Sequence, residues 1–134
     1  MAVVARVIAT AIKQAQKAHR AALEETYDGT CTVYERQQYK NPDTKVTESR
    51  EAEVFSDEPC HLSYSSDTAA AGTGTVTNVP QTIKLFLAPE KVILPGSKIV
   101  VTQQGRTEAY SQSGKAAVYS SHQEILLELF RGYA

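Results

Sequence analysis

The sequence predicts a mainly β fold: a small β-barrel or sandwich of about eight short strands, with an N-terminal α-helix and one long flexible loop. Three features lead there. Residues 2–25 keep a single helical rhythm with no Gly or Pro. From Thr30 onward, short segments rich in β-branched and aromatic residues alternate with closely spaced turn signals. Between them, residues 65–80 offer nothing that could anchor a core. The expected organisation is a helix over 1–26 and one β-barrel domain over 27–134, with 65–80 inserted into it.

In the helix, Val4, Ile8, Ala11, Ile12, Ala15, His19, Ala22 and Leu23 recur at spacings of three and four. His19 falls on that apolar face and is expected to be packed. Arg6, Lys13, Gln16, Lys17 and Arg20 take the opposite face, and Asp28-Gly29 turns the chain. Residues 30–39 then read as a strand. Asn41-Pro42-Asp43 is a turn, because Pro fixes φ and Asn or Asp bonds its own backbone. Residues 45–55 return as a second strand. Pro59 opens a short one in which Cys60, Leu62 and Tyr64 share a face.

The second half is more regular. Residues 81–87 alternate, with Ile83, Leu85 and Leu87 on one side. A short strand is expected at 91–94, before the Pro95-Gly96 turn. Residues 98–102 and 106–110 flank Gln103-Gln104-Gly105 as a hairpin. A short segment at 116–119 precedes 122–130, read as a strand in preference to a short helix because Gln123, Ile125, Leu127 and Leu129 alternate with Glu124 and Glu128. Leu126 and Phe130 fall on its polar side, where a subunit contact would use them.

The composition belongs to a folded protein, with 42% hydrophobic and 22% charged residues in a chain of 134. No apolar run approaches the roughly 20 residues that span a bilayer. The N-terminus lacks the order of a secretory signal, so a cytosolic origin is expected and no membrane partner. A net charge of −1 shows no basic surface for nucleic acid. Charge is uneven along the chain: residues 1–26 hold four basic residues and two acids, and the rest is acidic. Cys31 and Cys60 sit in no CxxC motif and read as two buried thiols, although a disulfide stays open.

Chemistry is hard to find in the remaining residues. Gly72-Thr73-Gly74 is a fragment of a phosphate-loop fingerprint without its lysine or helix. Ser121 and His122, as strand neighbours, are expected to point to opposite faces, whereas His122 and Glu124 share one. The acids Glu48, Glu51, Glu53, Asp57 and Glu58 read as a solvated face that guards an edge strand. Seven tyrosines against three Phe suit interfaces and half-exposed sheets equally. No catalytic residue, metal site or cofactor is expected. The candidate interface residues are Val4, Ile8 and Ile12 on the helix and Tyr119, His122, Leu126 and Phe130 near the C-terminus.

The run Pro59-Cys-His-Leu-Ser-Tyr64, the loop after it, Leu94-Pro-Gly-Ser-Lys-Ile-Val-Val with Gln104-Gly-Arg, and Tyr119-Ser-Ser-His-Gln-Glu-Ile together resemble the head-closure, or head–tail joining, proteins of tailed bacteriophages and prophages. The resemblance covers roughly residues 27–130; the long N-terminal helix departs from it. It implies a β-barrel assembled as a homo-oligomeric ring in the virion neck, built in the host bacterial cytoplasm. Its partners would be a portal or adaptor protein and a tail protein, with transient contact to passing DNA.

It also implies a channel-closing loop, which the match places on Ser65, Ser66, Asp67, Thr68, Ala69, Ala70, Ala71, Gly72, Thr73, Gly74, Thr75, Val76, Thr77, Asn78, Val79 and Pro80. Folded back on itself, such a loop reaches roughly 25–29 Å, and it has no Lys or Arg to hold phosphates. An ordinary surface insertion has the same properties. The alternatives are a tail-completion protein, a small-barrel binding module using Arg36, Lys40 and Lys45 with Tyr34 and Tyr39, and an enzyme acting through His122 and a Ser or Glu.

Overall fold

A computed structural model describes residues 2–66 and 81–133. The described chain contains one helix, α1 (Ala2–Glu24), and seven strands: β1 (Gly29–Lys40), β2 (Thr47–Ser66), β3 (Gln81–Leu87), β4 (Lys98–Gln103), β5 (Arg106–Gln112), β6 (Ala117–Val118) and β7 (Gln123–Leu129). All pairings are antiparallel, in the order β3-β2-β1-β4-β5-β7-β6, and β3 also pairs with β7. That last pairing curls the sheet back on itself. The closure is irregular, because β5 and β6 each take a short part of β7.

The inward residues follow from strand alternation. Cys31 and Val33 on β1, Cys60 and Leu62 on β2, Leu85 and Leu87 on β3, Ile99 and Val101 on β4, Tyr110 on β5, and Ile125 and Leu127 on β7 form one cluster, joined by Ile93 from the segment between β3 and β4. Both cysteines are buried free thiols. The hydrogen bond to Cys60, together with burial, pushes the Cys31 thiol far up, so it stays protonated.

Two sequence expectations merge into one element. The strands expected at 45–55 and 60–64 are a single 20-residue β2. Bulges keep it continuous: opposite Cys31–Val33 and Val33–Tyr34 of β1, β2 carries an extra residue each time. Asp57 adopts φ 52° there, and its N–H donates to Thr32 Oγ1 at 3.3 Å. Pro59 is tolerated because it adjoins the bulge and precedes the first β3 pairing at Cys60. Ser65 and Ser66, expected in the loop, pair with Thr82 and Gln81 of β3 and extend β2 instead. The other residues of the candidate channel loop, 67–80, lie outside the described residues.

Residues 91–94 do not form the expected strand. Val92 and Leu94 are exposed while Ile93 plugs the core, and buried Gln123 fixes the segment by donating its Nε2–H to the carbonyl oxygens of Ala88 and Lys91. The β4–β5 hairpin forms as expected, with Gln104 (φ 55°) and Gly105 (φ 73°) as a two-residue turn of the type that matches strand twist.

A further backbone gap is closed by a side chain. β1 begins at Gly29, opposite Cys60, so Leu62 has no strand partner on that side. Gln103 fills the place: its Oε1 accepts from Leu62 N at 2.7 Å, and its Nε2–H donates to Leu62 O at 3.2 Å. Gly29 makes the room, since a Cβ there would lie 3.0 Å from both Gln103 Oε1 and Thr102 O.

Candidate functional site

Two parts of the chain leave the barrel. The first is α1, which makes no more than marginal contact with any strand. Near its C-terminal end it is held by Arg20, which donates to both carboxylate oxygens of Glu90 and, through Nε at 2.7 Å, to Glu24. That pairing raises the Arg20 guanidinium and holds Glu90 below the usual carboxylate range. The apolar face is open to solvent: Val4 is 60% exposed, Ile8 55% and Ile12 52%, and Val3 and Val7 are more exposed still. His19 is exposed too, which corrects the expectation of a packed histidine. The periodicity identified a real face, but the barrel does not cover it.

The second is a two-stranded arm. β1 pairs with β4 only from Thr30 to Tyr34, and β2 meets β3 only from Cys60 onward. Residues 35–40 and 47–53 therefore run past the barrel, paired with each other and turned by residues 41–46. Asn41 Oδ1 accepts from Asp43 N at 2.9 Å, and Lys45 sits at φ 58°. The C-terminal residues brace the base of the arm. Tyr133 donates to Glu51 Oε2 at 2.9 Å, Phe130 meets the Tyr133 ring edge-on, and Arg36 lies over that ring. Burial and the Glu51 carboxylate push the Tyr133 phenol up to about 12. A cleft of about 510 Å³ lies beside this brace, lined among others by Glu35, Arg36, Pro95 and Tyr133.

Of the binding-module alternative's residues, Arg36, Lys40 and Lys45 are exposed on the arm, and Tyr34 and Tyr39 lie under other cations. Lys98 lies over Tyr34 and Arg50 over Tyr39, at 5.6 and 4.5 Å from the ring centres, while Arg36 is held at Tyr133. Two of the five candidate acids of β2 face cations. Glu51 faces Lys98 and Tyr133, Glu58 faces Lys91, and no metal-holding cluster of His, Cys, Asp and Glu occurs among the described residues.

Around β7, Tyr119 (51% exposed) and Leu126 (42%) are open, and His122 and Phe130 are half-buried. α1 makes no more than marginal contact with β7. His122 stacks between Tyr119 and Phe86, with ring centres 5.0 and 5.6 Å away. Contrary to expectation, Ser121 and His122 do meet: Ser121 Oγ lies 2.9 Å from His122 Nδ1. Strand alternation does not apply there, because β7 begins at Gln123 and a turn closed by Tyr119 N–H to His122 O precedes it.

The expected partner of His122 also stands, with Nε2 2.9 Å from Glu124 Oε2. A carboxylate only accepts, so Nε2–H donates to Glu124; in a neutral imidazole Nδ1 then accepts from Ser121. The His122 bond, aided by Lys84, holds Glu124 below the usual carboxylate range. Ser121 is only 4% exposed, and its hydroxyl lies against the imidazole. This hydroxyl–imidazole–carboxylate chain links the 119–122 turn to β7, and the Phe86 ring links it to β3.

Sequence reasoning missed the arm. The signal was present in the polar, charged character of 35–40 and 47–53, which have too few apolar residues for a strand pair with a buried face.

No family model matches the chain, and no curated protein matches it. Among solved structures, one similar chain is the phage-like element PBSX protein xkdH from Bacillus subtilis. The two share 10% identity and a TM-score of 0.45, over 75% of this chain and 91% of that one. At that score the likeness carries no argument about a shared role. No helix among the described residues is long and apolar enough to cross a membrane.

Proposed function

We propose that this chain is a structural connector of a tailed phage or prophage particle, working as a ring of identical copies between the portal or adaptor side of the capsid and the tail. The observation that carries the proposal is the uncovered apolar face of α1. A chain that acted alone would leave a 23-residue helix in water with its valines and isoleucines exposed, and isolated helices are marginal there. The projecting arm adds a second surface with open strand edges, the kind a monomer normally covers. The resemblance of residues 27–130 to head-closure proteins supplies the setting. In this reading the chain catalyses nothing, and the Ser121–His122–Glu124 group is a fastening.

The test is the mass of the assembly, measured by light scattering after size exclusion, for the chain alone and with the portal and tail proteins of its own gene cluster. A closed oligomer, or a stoichiometric complex with either partner, is expected. A strict monomer that joins neither partner refutes the connector.

A further inference from the structure

The chemistry of α1 specifies its partner. Taking Ile8, Ala15 and Ala22 as position a of a heptad places Val4, Ala11 and Ala18 at position d. The basic residues then fall together on the far side: Arg6, Lys13 and Arg20 all occupy position f, and Lys17 occupies c. The flanking e and g positions are Ala5, Ile12 and His19 on one side and Val7, Gln14 and Ala21 on the other, with no carboxylate or lysine among them. A helix so patterned can lie against a copy of itself without placing like charges across the seam. Its alanines also allow the two backbones to approach closely.

We infer that α1 is the contact between copies of this chain, its uncharged face packing against the α1 helices of two neighbours in an assembly of three or more. This rests on the connector reading and says which surface makes the ring. The width of the face sets the number. A two-stranded seam needs positions a and d alone. Here Val7 at g forms one flank and Ile8 and Ile12 at a and e form another, roughly 120° apart at 100° per residue. All are exposed in the single chain. Two flanks at that angle meet two different helices.

The acidic face of β2 on another copy is a poorer occupant, because the basic residues that would seek it point away from the apolar stripe. Apart from the Arg20–Glu24 pair, the helix also lacks the devices that would stabilise it alone. Its first turn has no acid and its last turn no base, and Arg6 opposes the helix dipole.

Two measurements on the full chain test this. Ile8→Glu with Ile12→Glu is expected to reduce the assembly to single chains while the far-ultraviolet spectrum of the β-domain is kept, and Lys13→Glu, on the far side, is expected to leave the mass unchanged. Separately, Ala11→Cys is expected to form a disulfide between copies on mild oxidation, and Arg6→Cys is not; native Cys31 and Cys60 are buried and do not compete. An assembly that survives Ile8→Glu with Ile12→Glu, or that cross-links equally through Arg6→Cys, overturns the helix contact and leaves the connector reading standing. A wild-type chain that stays monomeric with and without portal and tail proteins overturns both. A wild-type monomer that instead co-sediments with anionic lipid vesicles assigns the face to a lipid surface and overturns the contact.

Discussion

Replacing Gln103 with Met keeps the length and most of the volume of the side chain and deletes both of its bonds to Leu62. The bonds are 2.7 Å to the Leu62 N–H and 3.2 Å to its carbonyl, and Leu62 is buried. A buried donor or acceptor left unpaired costs about 1–3 kcal/mol. Gln103 is half-buried, so water can reach part of the gap, and the carbonyl bond is the longer of the two. The expected loss is therefore about 2 kcal/mol, dominated by the N–H. Against a typical domain stability of about 5–15 kcal/mol that is a large change.

Urea unfolding followed by circular dichroism reads it as a lower midpoint at constant slope. Gly29→Ala presses a Cβ to 3.0 Å from the same Gln103 oxygen, so its cost is expected to shrink in the Gln103→Met background, where that oxygen is absent. A Gln103→Met variant within about 0.5 kcal/mol of wild type, the range of ordinary surface changes, would refute the claim that this side chain substitutes for a missing strand.

Two further outcomes concern the barrel. Leu85 is fully buried and lies between Leu62 and Ile125 in the closed sheet, so Leu85→Ala is expected to cost about 2–5 kcal/mol; a loss under about 1 kcal/mol would mean that the site collapses freely. Glu124, Glu90 and Asp28 are all held below the usual carboxylate range, by His122, Arg20 and His61 respectively. Lowered folded values add stability above the unfolded values, roughly pH 4, and that stability is lost as pH falls through the folded values. The melting temperature is thus expected to drop below about pH 4, with a shallower drop in Glu124→Gln; identical acid profiles for the two proteins would contradict the His122–Glu124 pairing.

Much of this architecture is set by local sequence. The three-and-four spacing from Val4 to Leu23 is enough for α1, and the alternation of Ile83, Leu85 and Leu87 is enough for β3 and its inward face. Gln104-Gly105 suffices for a tight hairpin because both residues can adopt positive φ. These are short-range matters: side-chain period and backbone sterics act within a few residues.

Tertiary structure decided what each face meets. His19 lies on an apolar face that the barrel never covers, and Ile93 is buried by plugging a core, not by belonging to a strand. Two segments split by Asp57 and Pro59 fuse into β2 because β1 runs alongside both and the bulges absorb the extra residues. Ser121 reaches His122 because a turn holds them ahead of the strand. For α1 and β2 the periodicity was sound; at Ile93 and Ser121 irregular backbone, not strand alternation, set the side-chain direction. Periodicity shows that a helix or strand has a side to bury; only the packing of distant segments determines what buries it, and on α1 none of the described strands does.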